Sequence, residues 1–241
     1  TAITPRGRID LVNLGTFGGW KMARNNPYAL SFDGVDDRLS GVNLPASIRC
    51  LEFWFETPTA FVTGNEPARS FCQFDSLLQI LHLGKSKRGT PTATICLRQF
   101  DFVHSRERYW YTTAPVTAGI HHLAVVWNSA TDINFILDGQ PVPMTKNTQN
   151  LGYRTRLELN DTIYAPYIYD RFLGKMDEIR VWSTVRTLEE IQENMHKSLK
   201  GDEPGLMLYW RFDEGSGNTV TDSSPSGLNA TITGATWVPG I

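Results

Sequence analysis

Apolar and polar side chains alternate along most of this chain, which is the period expected of β-strands whose two faces meet different surroundings. The pattern is clearest over residues 49–56. One face of that segment carries Leu51, Phe53 and Phe55, and the other carries Glu52, Trp54 and Glu56. Aromatic rings on both faces predict a strand in the middle of a sheet.

The same period predicts strands in many other segments of the chain. They are residues 28–32, 39–44, 71–74, 77–83, 92–97, 108–113, 121–128, 134–137, 174–182, 206–213 and 229–232. One segment follows a different period, because Val185, Leu188, Ile191 and Met195 recur at steps of three and four, as on an amphipathic helix. We therefore predict an all-β protein, an antiparallel β-sandwich of the jelly-roll type, with one short helix near the C-terminus.

Length and composition favour one soluble domain. A chain of 241 residues with 41% hydrophobic residues is long enough to bury a single large core. No repeat or Pro-rich linker divides it, so we expect one domain over residues 1–241. The formal net charge is −2 and Lys and Arg form no blocks, which disfavours nucleic acid as a partner. No run of eighteen apolar residues occurs, so we expect no membrane insertion.

The three cysteines, Cys50, Cys72 and Cys96, lie far apart in the sequence. They show neither the Cys-x-x-Cys spacing of a zinc site nor the density of a disulfide scaffold. Two interpretations remain open. Either all three are buried thiols that behave as small apolar residues, or one disulfide leaves a single thiol over.

Six segments resemble, in the same order, those of laminin-G-like or concanavalin-A-like jelly-roll lectin domains. They are residues 30–37 (Leu-Ser-Phe-Asp-Gly-Val-Asp-Asp), 52–54, 122–127, 136–139, 174–182 with its helix, and 208–217. The resemblance implies a non-catalytic module for glycan binding or adhesion, displayed outside the cell or on its surface. Its partners would be glycans or cell-surface and matrix proteins, and it is compatible with oligomers. An alternative is a protein-interaction or assembly module that uses the same surface.

Residues 50–53 and 122–129 are also distantly similar to pentraxins. Ala124 stands where that family has the second cysteine of its disulfide, so Cys50 cannot form the pentraxin bridge. The pentraxin calcium loop is not recognisable near Asn160 and Asp161. This resemblance therefore extends to the fold and not to pentraxin function.

The turn Asp33-Gly-Val-Asp36-Asp37 is rich in carboxylates. Calcium takes six to eight oxygen ligands, and turns of Asp and Gly supply them. In related sandwiches one calcium ion ties an early turn to a late strand, so the resemblance implies Asp33, Asp36 and Asp177 as ligands. The competing interpretation is an ordinary turn held by Asx-type hydrogen bonds without a metal.

Aromatic rings beside Arg and Asp side chains are typical of surfaces that bind sugars, and residues 106–111 and 164–171 are dense in both. We expect ligand contacts from Arg108, Trp110, Tyr164, Tyr167, Tyr169, Asp170 and Arg171. The alternative is that alternate rings fill the core while the others cover a sheet face.

The sequence offers little for catalysis. Glu52 and Glu56 lie four residues apart on one strand, about 13 Å, which is too far for the carboxylate pair of a glycosidase. The neighbouring His121 and His122 point to opposite faces of their strand and cannot easily share a ligand. We therefore expect no enzyme. A polysaccharide hydrolase or lyase, with carboxylates from separate strands, is a less favoured alternative.

Overall fold

The computed structural model describes residues 26–40, 42–58, 69–74, 79–83, 94–101, 106–129, 132–150, 162–164 and 172–241. In these ranges the chain forms three antiparallel sheets and one helix. The predicted all-β class, with a single late helix, is confirmed.

The first sheet has eight strands. They are β1 (Tyr28–Asp33), β4 (Cys50–Thr57), β9 (Gly119–Trp127), β10 (Ile133–Leu137), β11 (Gln140–Pro141), β14 (Leu173–Trp182), β15 (Leu206–Trp210) and β18 (Thr236–Pro239). The spatial order is β11-β10-β9-β4-β14-β1-β18, and β15 also pairs with β14. The long strand β14 therefore pairs with β1 along its first half and with β15 along its second half.

The second sheet has seven strands and the third has three. In spatial order the second contains β12 (Met144–Asn150), β8 (Arg106–Thr112), β7 (Ile95–Asp101), β6 (Gln79–Leu83), β5 (Arg69–Phe74), β13 (Thr162–Tyr164) and β3 (Val42–Asn43). The third contains β16 (Thr219–Val220), β17 (Ala230–Thr233) and β2 (Arg38–Leu39).

The main hydrophobic core contains apolar residues from both large sheets. On β4, Phe53 and Phe55 point into it, and their ring centroids lie 5.1 and 4.8 Å from that of Phe71 on β5. Burying a side chain of this size stabilises the fold by about 1.5–3 kcal/mol. The predicted central position of this strand is confirmed, because β4 lies between β9 and β14.

The helix α1 (Leu188–Asn194) begins later than the apolar pattern predicted. Thr187 is its N-cap, and its side chain forms a reciprocal capping box with Glu190. Val185, which the helical pattern included, precedes this cap and is 39% exposed. Within the helix it is Ile191 that is buried, and it packs on the outer face of the first sheet.

Cys50, Cys72 and Cys96 are all buried and free, which confirms the first interpretation and shows that a disulfide is wrong. Burial raises the pKa of each thiol, most strongly for Cys50 and Cys72. These cysteines therefore act as small apolar residues. Among the described helices, none has the length and apolar character needed to cross a membrane.

Candidate functional site at the rim

Several connections leave the first sheet at the same end. Strand β1 ends at Asp33, which pairs with Leu173 at the start of β14. Strand β4 ends at Thr57, which pairs with Gly119 at the start of β9. We call this end of the sandwich the rim. The turn 33–37, the start of β14 and the loop before β9 all lie there.

Three aspartates meet in the turn that follows β1. Ligand atoms of Asp33, Asp36 and Asp37 all lie within 4.8 Å of one another, with Asp33 and Asp36 exposed and Asp37 buried. The turn is also held by its own hydrogen bonds. Asp33 Oδ1 accepts from the backbone N–H of Val35 at 2.6 Å, and Asp37 Oδ2 accepts from the backbone N–H of Asp33 at 2.7 Å. This geometry combines an Asx-type turn with a concentrated negative charge.

The donor set of the turn fits a hard divalent cation such as calcium, which binds carboxylate and carbonyl oxygens. Burial raises the pKa of Asp37, and the charges of Asp33 and Asp36 raise it further. The hydrogen bond from the N–H of Asp33 opposes these effects. A bound cation would offset the repulsion among the three carboxylates. Asp37 was not among the ligands predicted from the sequence, although it directly follows Asp36 and carries the same carboxylate group.

Gly234 lies directly against the Asp37 side chain of the turn. Its backbone has a φ of +82°, and a Cβ built at this position would collide with Asp37 Oδ1. The backbone conformation therefore favours glycine, and any larger residue would have to displace the Asp37 carboxylate.

The structure does not bring Asp177 to this turn, which corrects its assignment to the same metal site. Asp177 is fully buried on β14, where its Oδ2 accepts from Asn26 Nδ2 at 2.7 Å. It lies four residues beyond Leu173, the partner of Asp33, which corresponds to about 13 Å along the strand. Ligand oxygens lie about 2.3–2.6 Å from a calcium ion, so Asp33 and Asp177 cannot share one.

Four of the predicted ligand-binding residues, Tyr167, Tyr169, Asp170 and Arg171, lie outside the described residues. Tyr164 ends β13, where its backbone pairs with Gln73. The segment 165–171 connects β13 to β14, and these two strands pair with β3 and β1 respectively. The acidic turn belongs to the connection from β1 to β3. Each of these two connections therefore links the first sheet to the second, and the strands at their ends are neighbours within each sheet.

Arg108 and Trp110 on β8 have a different environment. Trp110 is only 3% exposed and belongs to the main core, so the interpretation that alternate rings fill the core describes it. The ammonium of Lys146 lies 5.3 Å from the centroid of its ring. Arg108 is half-buried and its Nη1 donates to Gln99 Oε1 at 3.3 Å. Trp110 is therefore corrected from a ligand contact to a packing residue.

The two histidines of β9 point to opposite faces, as predicted. His121 Nδ1 lies 2.8 Å from Asp138 Oδ2, and its Nε2 lies 2.9 Å from the carbonyl oxygen of Thr117. On the other face, the ring of His122 packs at 5.2 Å from that of Trp54. His121 thus links the loop before β9 to the turn after β10 at the rim.

Glu52 and Glu56 also have distinct surroundings. Glu52 is 1% exposed and its Oε2 lies 3.6 Å from His122 Nε2. Glu56 is about one-third exposed and forms an ion pair of 2.6 Å with Lys175. Glu52 is buried, and Glu56 is paired with Lys175 at the surface, so the two carboxylates do not form a glycosidase-type pair.

Comparison with solved structures finds a protein with a similar fold. A candidate carbohydrate-binding protein from Bacteroides ovatus matches with a TM-score of 0.63 at 19% identity, over 88% of this chain and 60% of that protein. This chain therefore spans about 60% of the length of that relative.

Other matches are weaker. The botulinum neurotoxin serotype D binding domain gives a TM-score of 0.48 at 13% identity, covering 84% of this chain and 55% of its own. Domains LG4-5 of the mouse laminin alpha1 chain give a TM-score of 0.43 at 13% identity, covering 75% of this chain and 47% of that one. A search of curated protein sequences finds no significant match.

The sequence itself matches a laminin-G-type family model over residues 51–192, more than half of the chain. The matched region begins at the second residue of β4, includes β9 and β14, and reaches into α1. The chain belongs to the concanavalin A-like lectin/glucanase superfamily.

Proposed function

We propose that this protein is a non-catalytic carbohydrate-binding module, displayed outside the cell, whose ligand site lies at the rim. The observation that carries the proposal is the pairing of Asp33 with Leu173. It sets the acidic turn beside the entry to β14. The preceding segment, 165–171, contains Tyr167, Tyr169, Asp170 and Arg171.

The chemistry of the two connections is complementary for a sugar. Aromatic rings pack against the C–H faces of a pyranose, while Arg and Asp side chains hydrogen-bond its hydroxyl groups. A cation held by Asp33, Asp36 and Asp37 would supply a further point of attachment, because calcium keeps coordination positions for outside oxygens when the protein provides fewer than six. The fold likeness to a candidate carbohydrate-binding protein supports the same assignment.

We propose calcium as the ion. The three carboxylates are hard oxygen donors, the kind that calcium prefers, and they lie within 4.8 Å of one another. The ion would organise the rim and neutralise the turn, and sugar hydroxyls would then complete its coordination. Asp177 has no part in this set.

A broad glycan array, probed with the labelled chain in calcium and again in excess chelator, tests the proposal. Binding that needs calcium supports both the module and the ion. Binding that survives chelation supports the module and removes the ion from the ligand site. The absence of binding in both arms contradicts the proposal and favours an interaction or assembly module.

A further inference from the structure

A segment of 21 residues leaves and re-enters the first sheet at one point. Trp182 and Leu206 are paired on β14 and β15. Between them, the N–H of Ser183 donates to the carbonyl oxygen of Gly205 at 2.8 Å. We call residues 184–204, which include α1, the strap. Because its two ends are joined, the strap can lift without breaking the pairing of β14 and β15.

The strap covers a hydrophobic cluster that is separate from the main core. The cluster lies on the outer face of the first sheet, and Ile191 and Leu199 are the buried strap residues in it. The sheet contributes Cys50, Ala124, Val126, Ile136, Trp182, Leu206 and Tyr209. None of these residues belongs to the main core. Loss of the strap contacts therefore leaves the packing between the two large sheets in place.

The strap is attached to the sheet mainly through side chains. Arg180 donates from Nη1 to the carbonyl oxygen of Asn194 at 2.9 Å and from Nη2 to that of Lys197 at 2.5 Å. Trp54 Nε1 donates to the carbonyl oxygen of Met195 at 2.9 Å. In the described residues, the backbone–backbone hydrogen bonds of the strap join strap residues to one another or to Leu206.

The face beneath the strap is charged as well as apolar. Arg180 and Glu178 are almost fully buried and form an ion pair of 2.6 Å, and Tyr209 donates to the same carboxylate oxygen at 2.6 Å. Glu52 is buried beside them, and burial raises its pKa. Taking these ions out of water has a large free-energy cost. Lifting the strap rehydrates them, which offsets part of the apolar contact that is lost.

We propose that the strap opens as a unit from a sandwich that stays folded, and that closure controls access to Cys50. The small cluster, the joined ends and the buried ions all lower the free energy of opening relative to that of complete unfolding. Cys50 is fully buried in the strap cluster, and its pKa is raised first by this burial and next by the charge of Glu52, with smaller effects from Arg186 and Glu190 on the strap. Cys72 lies in the main core and Cys96 on β7.

Labelling of the native chain with iodoacetamide, followed residue by residue by peptide mass spectrometry, tests the proposal. We expect Cys50 to react at least about tenfold faster than Cys72 and Cys96, a difference of about 1.4 kcal/mol in opening free energy. Ile191→Ala should accelerate the labelling of Cys50 by about 25-fold or more, because it removes buried methyl groups beneath the strap. Thr187→Ala, which removes the helix cap, is a milder variant with an expected acceleration of about fivefold.

The matched control is Leu123→Ala, which lies in the main core on β9. It should accelerate the labelling of Cys72 and Cys96 and leave that of Cys50 within about twofold, because opening of the strap keeps the core intact. A single labelling rate for all three thiols would overturn the proposal. So would an equal acceleration of Cys50, Cys72 and Cys96 by Leu123→Ala.

Discussion

Asp33 is the Cα partner of Leu173 across β1 and β14, although 140 positions separate them in the sequence. The turn 33–37 begins at the first residue, and the segment 165–171 ends two positions before the second. Pairing of Val42 with Ile163 joins the other ends of the two connections. The proposed ligand site at the rim rests on this closeness of the strand ends that flank the two connections.

Asp36→Asn should weaken calcium binding, because it removes one of three charges from the turn without changing its shape. At a calcium concentration about five times the Kd, the wild-type chain gains about 1 kcal/mol, which raises the Tm by roughly 2–4 °C. We expect less than half of that shift in the variant, measured by calorimetry with calcium and with chelator. The exposed Asp202 provides the control Asp202→Asn. Equal calcium-dependent shifts in Tm for the two variants would show that the ion does not bind at the turn.

Gly234→Ala should disturb the rim more than Gly217→Ala. The two glycines have nearly the same φ, +82° and +83°, so each substitution carries the same backbone penalty of about 1–2 kcal/mol. A Cβ at Gly217 meets no atom within 4 Å, whereas one at Gly234 collides with the Asp37 carboxylate. Urea denaturation should therefore give a larger loss for Gly234→Ala, and calcium affinity should fall in that variant alone. Equal losses with unchanged calcium affinity would show that Asp37 can move away freely.

Trp110→Ala should reduce the free energy of unfolding by about 3–5 kcal/mol, because it leaves a cavity in the main core. Lys146→Ala, which changes the cation over the same ring, should cost less than about 1 kcal/mol. Chemical denaturation of both variants measures the difference. A stable Trp110→Ala chain that lost glycan binding would instead return this residue to the ligand site.

Glu52 should make the fold less stable as the pH rises. Burial holds its pKa above the ordinary value of about 4.3, partly opposed by the charge of Arg180. Between the two pKa values the folded chain binds more protons than the unfolded chain, so stability falls as pH increases through that window. The stability of the wild type relative to Glu52→Gln should therefore improve as the pH is lowered from 7 toward 4.

Denaturation midpoints of the two chains over this pH range check the sign. The control Glu56→Gln alters a partly exposed carboxylate on the same strand. A fall in the stability of the wild type relative to that of Glu52→Gln as the pH is lowered would contradict the buried state of Glu52.

Much of the fold was predictable because sheet faces follow a period of two. The aromatic rings on both faces of β4 correctly predicted a strand in the middle of a sheet. The strand β12 was missed, since its sequence, Met-Thr-Lys-Asn-Thr-Gln-Asn, shows no apolar alternation. Its pairing with β8 makes it a strand, and that contact is not encoded in the local pattern.

The candidate site was predictable only where it is local in sequence. Asp33 and Asp36 are three positions apart, so one turn brings them together. The placement of Asp177 depended on the register between β1 and β14, which no local pattern specifies. Trp110 was misassigned because aromatic residues are enriched both in cores and at binding surfaces.

Isothermal titration with the tightest glycan from an array tests the central claim most directly. The titration would compare the wild type with Tyr167→Ala and Asp36→Asn, in calcium, with Val185→Ala as a control on exposed surface near α1. We predict at least about tenfold weaker binding for Tyr167→Ala and for Asp36→Asn, about 1.4 kcal/mol, and an unchanged Kd for the control. Undiminished binding by both Tyr167→Ala and Asp36→Asn would contradict the proposed ligand site at the rim.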